Sequence, residues 1–520
     1  MTAGTYPDVR SGLQKLLKDG LLLFNYTGHG GTTALSDEKV LTQTDINQFT
    51  YTHLPVWVTA TCDFTRFDDL NTSAGEDVFL NKSSGGIALF TTVRVAYSRP
   101  NFPINDNVIR NLFERNNGRR RTLGEVMQAT KNTLSSVYKL GFCLIGDPAV
   151  KMAYPEFGMK VTTVNGQSVD GNSISFKALE KITVEGEVLD ASGQLVTDFT
   201  GIVNPTVKDS KVTVTCLKNS NKDDSPAFTF TDYPNTIFIG NDSVRNGKFS
   251  FTFTVPKDIS YSNLQGKMNL YAVDTESGNE AQGNFDNFIV GGTSDTAETD
   301  TIGPEIRALY LNDTTFMDGG QVNTTPYFVA ELWDKSGVNI TGSSVGHDMM
   351  LVIDESTVLS YNLNSYYELL PGEDGTGIVK FPIPALEPGK HTAEFWVWDI
   401  LNNSTVRTFT FEVVEGLKPF LFDVIATPGI AREQVTFHLM HNRPESRMRV
   451  GIMVYDLAGR QLWKHEESGT SGLFENYTVS WDLTSGGARM RPGVYIYRAA
   501  ISTDNSKDAT KARKFIILGE

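Results

Sequence analysis

Two residues in this sequence have the type and setting for nucleophilic chemistry. His29 stands in Thr27-Gly28-His29-Gly30-Gly31, directly after an apolar run at residues 21–26 (LLLFNY). Cys62 stands 33 residues later, directly after a second apolar run at residues 55–61 (PVWVTAT). A free thiol of pKa about 8.5 is only partly ionised at neutral pH, and a neighbouring imidazole stabilises the thiolate and returns a proton to a leaving amine. Glycine lets a backbone approach a ligand closely and present its N–H groups. The N–H groups of Gly30 and Cys62 are therefore candidates for an oxyanion hole, an effect of about 3–4 kcal/mol in other enzymes. Neither motif is diagnostic alone, because a single strand-end cysteine is usually a packed hydrophobe. Their joint position after two strands of one unit gives them weight.

Other reactive residue types read as structural. Cys143 lies inside an apolar run, and Cys216 shares the parity of Val212 and Val214, so both are expected in cores. His347, in Gly346-His347-Asp348, resembles the first motif superficially but has no cysteine after it, and is expected to be a loop or structural histidine. His53 precedes Leu54-Pro55 and reads as a turn residue. No CxxC or HExxH pattern occurs, so no metal ligand and no cofactor is named. Asp68 and Asp69 are adjacent acids without the loop spacing of a calcium site.

The elements that must position His29 and Cys62 are legible. Residues 21–26, 55–61, 86–92 (GIALFTT) and 142–145 (FCLI) are continuous apolar runs, as expected of strands buried on both faces of a mostly parallel sheet. Helical spacing fills residues 9–18, 75–81, 105–115 and 123–139, with Leu123, Val126, Met127, Thr130 and Leu134 on one face. In an open α/β sheet, sites form at the carboxyl ends of the strands, where both motifs fall. From about residue 156 the pattern changes to period-2 alternation, as in Phe249, Phe251, Phe253 and Val255, or Phe409, Phe411 and Val413, or Val450, Ile452 and Val454. That is the signature of antiparallel sandwiches. A small, acidic stretch at residues 291–301 reads as a linker, and residues 415–419 as a second joint. The expected organisation is an α/β unit at 1–155 and three β-sandwiches at 156–297, 298–415 and 416–520.

Composition bounds the partners. The chain of 520 residues carries 46 basic and 61 acidic side chains, a net charge of −15. This argues against nucleic acid, which needs a basic surface; the triplet Arg119, Arg120 and Arg121 is expected to be solvated. Three cysteines cannot staple a scaffold of this length. No apolar stretch approaches the length of a membrane helix, and the first residues lack the layout of a signal peptide.

The blocks NYTGHGG, LPVWVTATCDFTRFD, GGIALFTT and LIGDPAVKMAYP resemble the gingipain-type cysteine peptidases of clan CD, which share the caspase-like fold. The wording from Cys62 to Asp68, with Ser73-Ala74-Gly75-Glu76 after it, is most similar to the sortases of the type IX secretion system within that family. Ile302-Gly303-Pro304, Val345-Gly346-His347-Asp348 and Trp398-Asp399 resemble the sandwich region of those sortases. The blocks VYDLAGR at 454–460, Trp481-Asp482, PGVYIYR at 492–498 and KARKFII at 511–517 resemble a type IX C-terminal domain. The resemblance implies a caspase-like α/β domain, N-terminally incomplete, followed by all-β Ig-like sandwich domains. It implies that Cys62 is the nucleophile and His29 its proton carrier. It also implies cargo proteins with C-terminal sorting domains as substrates, an outer-membrane barrel of the PorV type as partner, lipopolysaccharide as an acceptor, and a place at the cell surface. The family's third catalytic acid lies well upstream of the histidine, and only 28 residues precede His29. No residue receives that role, and the chain is expected to be a C-terminal fragment. Two alternatives stay open at this level: a secreted peptidase that carries its own sorting domain, and a non-catalytic surface scaffold.

Overall fold

The computed structural model describes residues 6–116, 118–218, 226–294, 300–342, 346–370, 376–503 and 505–518. Two compact units result: residues 1–156 with 190–194, and residues 157–189 with 195–520.

The first unit is a three-layer α/β structure. In chain order it contains α1 (Pro7–Asp19), β1 (Leu23–Thr27), β2 (Ala34–Leu35), β3 (Leu41–Thr42), α2 (Gln43–Gln48) and β4 (Val56–Ala60). There follow α3 (Ala74–Leu80), β5 (Ala88–Thr92), α4 (Ser98–Phe113), β6 (Arg115–Asn116), β7 (Arg119–Arg120), α5 (Leu123–Thr133), a 3-10 turn (Val137–Gly141) and β8 (Phe142–Ile145). The main sheet has the order β1-β4-β5-β8. β1, β4 and β5 run parallel, and β8 closes the sheet antiparallel to β5.

Successive side chains of β4 and β5 enter opposite cores. Val56, Val58, Ala88 and Phe90 pack with Ile104, Val108 and Leu112 of α4 and with Leu123 and Val126 of α5. Trp57 and Leu89 face the other way, onto Leu17 of α1, Ile46 of α2 and Val78 of α3. Both strands are buried along their whole length, as the continuous apolar runs require. β1 departs from that expectation. It is an edge strand; only Phe24 is buried, stacked on Trp57 at 4.0 Å, while Asn25 and Thr27 are exposed. A run of apolar letters cannot distinguish a central strand from an edge strand.

The last predicted helix, at 123–139, stops at Thr133. Leu134 turns extended, and Ser136 caps the 3-10 turn by accepting the Tyr138 N–H at 3.3 Å. Serines compete for backbone groups in this way and end helices. α2 is short and was not anticipated; Thr42 and Asp45 form its capping box.

The second unit is built of β-strands and has three large cores, with a small fourth cluster at Tyr310, Val329 and Ile378. Phe249, Phe251 and Phe253 point into the first, between a nine-stranded sheet and a three-stranded sheet. Phe409, Phe411 and Val413 point into the second, between four- and five-stranded sheets. Val450, Ile452 and Val454 point into the third, between three- and five-stranded sheets. With Val255 also in the first core, the alternation read from the sequence is realised at all ten of these positions. It is not realised at Cys216. Among the described residues the strand Val212–Thr215 pairs only with Thr229–Asp232 in a separate two-stranded ribbon; Val212 and Val214 are half-buried there and Cys216 is exposed. Cys143, on the edge strand β8, is half-buried rather than in the core. Gly291, Gly292 and Thr293 belong to the strand Phe288–Thr293, so the linker is shorter than expected. Residues 295–299 of that stretch, the boundary expected there, and Val345 of the His347 motif lie outside the described residues. His347 is structural in its contacts: Nδ1 bonds Asp258 Oδ2 at 2.6 Å, and the ring packs on Trp398 at 4.5 Å.

A histidine beside the third core ties stability to pH. His441 Nδ1 accepts the Arg443 backbone N–H at 3.1 Å, and Nε2–H donates to Ser471 Oγ at 2.8 Å. Burial, then the Arg443 charge, hold its pKa down at about 4, against an ordinary 6.5. A depressed histidine contributes stability above its unfolded pKa and loses it as pH falls toward the folded value. The stability of this region against denaturant is therefore expected to fall by about 3 kcal/mol from pH 7 to pH 4. His441→Gln should flatten that slope; an unchanged slope would remove His441 as its source.

Candidate active site

The parallel register sets Leu23 opposite Val56 and Thr27 opposite Ala60. Continuing each chain by two residues places His29 and Cys62 after the carboxyl ends of adjacent strands. Gly28 N–H still bonds Ala60 C=O at 3.4 Å, which holds the two exits together. His29 is exposed and Cys62 is half-buried.

The histidine loop is fastened at several points. The His29 carbonyl accepts the Tyr26 hydroxyl at 2.6 Å and the Ser36 N–H at 2.8 Å. Burial pushes the Tyr26 phenol up. Gly31 N–H bonds Ala34 C=O at 3.0 Å, so the chain folds back at once onto β2. Gly30 fits under buried Thr61: a Cβ on Gly30 would collide with Thr61 Oγ1. Asn105 of α4 donates Nδ2–H to Thr27 Oγ1 at 2.8 Å, and its buried Oδ1 has no partner among the described residues.

The cysteine loop is held by a buried hydroxyl chain. Thr59 Oγ1 donates to Thr91 Oγ1 at 2.7 Å, and Thr65 Oγ1 shares a 2.8 Å bond with the same Thr91 oxygen. Thr65 N–H bonds Thr92 C=O at 3.1 Å and Asp63 N–H bonds Arg94 C=O at 3.3 Å, which zips this loop to the segment after β5. Arg94 then pairs with Asp68 at 2.6 Å and holds that carboxyl below the usual carboxylate range. Asp63 takes the left-handed conformation, φ 50°, immediately after the cysteine. An aspartate tolerates this region better than most residues.

The thiol touches the post-β5 segment. Cys62 Sγ–H donates to the Ala96 carbonyl at 3.2 Å, and Ala96 N–H points back at Sγ at 3.5 Å. Among the described residues, the backbone N–H groups of Gly30 and Cys62 have no protein acceptor. These two donors adjoin His29 and Cys62 along the chain. No site role follows from the sequence for Tyr26, Asn105, Arg94, Asp68 or Ala96. Tyr26 and Asp68 stand inside the family-like blocks, but the contacts that bring these five residues to the two loops come from the fold.

The second unit holds a separate group of acids. Asp300, Asp334 and Asp399 bring carboxylate oxygens within 4.8 Å of one another. Burial pushes the Asp334 carboxyl up to about 6 and raises Asp399 as well. Oxygen ligands at this spacing suit a hard cation. Their sequence separations form no recognisable loop pattern, so composition could not have grouped them.

Residues 1–153 match the model of Peptidase family C25. Over this stretch the first unit is similar to that peptidase family. Among solved structures, the whole chain is similar to dimeric latent PorU from Porphyromonas gingivalis, with 34% identity over 99% of this chain and a TM-score of 0.35. It is also similar to the Arg-specific cysteine proteinase gingipain R, with 19% identity over 54% of this chain and a TM-score of 0.27. The chain spans 47% of the PorU chain and 56% of the gingipain R chain. No curated protein matches it. Among the described residues, no helix is long and apolar enough to cross a membrane.

Proposed function

We propose that this chain is the peptidase-bearing part of a type IX secretion sortase. In this reading the first unit is a caspase-like domain, and the β modules are two Ig-like sandwiches and a C-terminal domain of the type IX kind. Cys62 Sγ attacks the carbonyl carbon of the bond between a cargo protein and its C-terminal sorting domain. His29 takes the thiol proton and delivers it to the leaving amine, which breaks the C–N bond and leaves a thioester. Gly30 N–H and Cys62 N–H stabilise the tetrahedral oxyanion. Water or an amine, such as one on a lipopolysaccharide acceptor, then releases the cargo at the cell surface, with a PorV-type outer-membrane barrel as partner. The observation that carries the reading is the β1–β4 register, which delivers His29 and Cys62 to neighbouring strand ends beside two unpaired N–H groups. The PorU likeness and the wording after Cys62 favour a sortase over a secreted peptidase. The fate of residues 416–520 separates the two: retained in a sortase, removed in a secreted enzyme.

The test is thiol reactivity against pH, using iodoacetamide and peptide mapping of all three cysteines. Exposed Cys216 and half-buried Cys143 serve as references. Cys62 is expected to react fastest at neutral pH and to lose that advantage in His29→Ala. A Cys62 rate that tracks Cys216 at every pH would sink the proposal.

A further inference from the structure

The segments that adjoin the thiol carry exposed apolar side chains. Ala96 grips Cys62 by its backbone, and its two chain neighbours, Val95 and Tyr97, are 60% and 62% exposed. The Tyr97 ring packs edge-on against Tyr138 at 5.4 Å. Tyr138 belongs to the turn Val137–Gly141, which the Val93 N–H fastens to the same segment through Gly141 C=O at 2.8 Å. On the loop that follows Cys62, Phe67 is 53% exposed and Leu70 is fully exposed. A monomer normally scatters such side chains singly, whereas here they cluster on the segments that leave the nucleophile.

The charges among these side chains answer one another. Arg94 pairs with Asp68 at 2.6 Å and also feels Asp63, while Arg66 pairs with Asp69 at 3.6 Å. A substrate with a charged side chain at this place finds its potential partners already engaged. A substrate with a large apolar side chain finds aromatic and aliphatic surface.

Geometry fixes where such a side chain falls. A scissile carbonyl must come within about 3–3.5 Å of Sγ to react. An extended peptide advances about 3.3 Å per residue. The residues next to the scissile bond therefore fall within about one or two residue lengths of Ala96, whose chain neighbours are Val95 and Tyr97. We infer that Val95, Tyr97 and Tyr138 form a specificity surface that selects an extended polypeptide with a bulky apolar residue on the acyl side of the scissile bond. The inference rests on Cys62 being the nucleophile.

The full chain is treated with peptidyl acyloxymethyl ketones that carry Phe, Arg or Asp next to the ketone, with iodoacetamide as a reagent lacking a side chain. Labelling of Cys62 is followed by peptide mapping, and each rate is divided by the iodoacetamide rate of the same variant. The Phe probe is expected to exceed the Arg and Asp probes by about 10- to 200-fold, the range an apolar pocket achieves. Tyr97→Ala and Tyr138→Ala should collapse that ratio, and Tyr97→Leu should keep most of it. Equal ratios, a preference for Arg, or labelling by iodoacetamide alone would overturn the inference and leave the nucleophile reading intact. A Cys62 silent even to iodoacetamide would overturn the reading itself, and the inference with it.

Discussion

Replacement of Cys62 by alanine is expected to abolish cleavage in the complete protein, by about 10⁴-fold or more, and to leave the fold in place. In the proposed mechanism the thiol forms the covalent acyl intermediate. Its structural contribution is small: one sulfur–carbonyl hydrogen bond to Ala96 and one return contact from the Ala96 N–H. Loss of a hydrogen bond of this kind costs about 1 kcal/mol, so thermal unfolding should barely move. His29→Ala should fall nearly as far, and the double variant no further, because residues that act as one unit do not contribute additively. The measurement is release of the C-terminal sorting domain from a cargo protein in cells that carry each variant. Normal release by Cys62→Ala would end the peptidase reading.

Gly30→Ala is expected to be the second most damaging change. The added methyl meets Thr61 Oγ1 directly, with Thr61 Cγ2 at 3.2 Å and the Ala34 carbonyl at 3.3 Å. Thr61, the residue before the nucleophile, is fully buried and has no room to move, so the loop of Gly30 must give way. That movement carries the Gly30 N–H off its aim. Loss of one oxyanion donor costs about 10²–10³ in kcat. Alkylation of Cys62 by iodoacetamide should persist, since the thiol itself is untouched. Thr61→Ala should partly rescue Gly30→Ala by removing both colliding atoms. Alone it should be nearly neutral, because Thr61 Oγ1 has no hydrogen-bond partner among the described residues and its removal strands nothing. Full activity in Gly30→Ala would take the Gly30 N–H out of the oxyanion hole.

The two units differ in how far their sequences reveal them. In the sandwiches, period-2 alternation is a strong signal, because each strand has one wet face and one dry face. Phe249, Phe251 and Phe253 obey it. The signal fails at Cys216, since parity gives the face of a strand but not whether another sheet covers that face. In the α/β unit, the apolar runs located all four strands of the sheet. They missed that β1 and β8 are its edges, which left Cys143 half-buried.

The same division holds at the site. The sequence by itself determined the two chemical groups, His29 and Cys62, and their place after two apolar strands, because side-chain type and strand periodicity are local properties. Only the tertiary structure decided what surrounds them. β1 and β4 had to pair in parallel for the two loops to meet. Ala96 had to arrive from the segment after β5 to touch the thiol, and Tyr138 from beyond α5 to meet Tyr97. Asp300, Asp334 and Asp399 likewise converge from three distant segments. Such contacts depend on strand order and loop path. These are set by how whole elements pack together, and no local pattern of residue types encodes them.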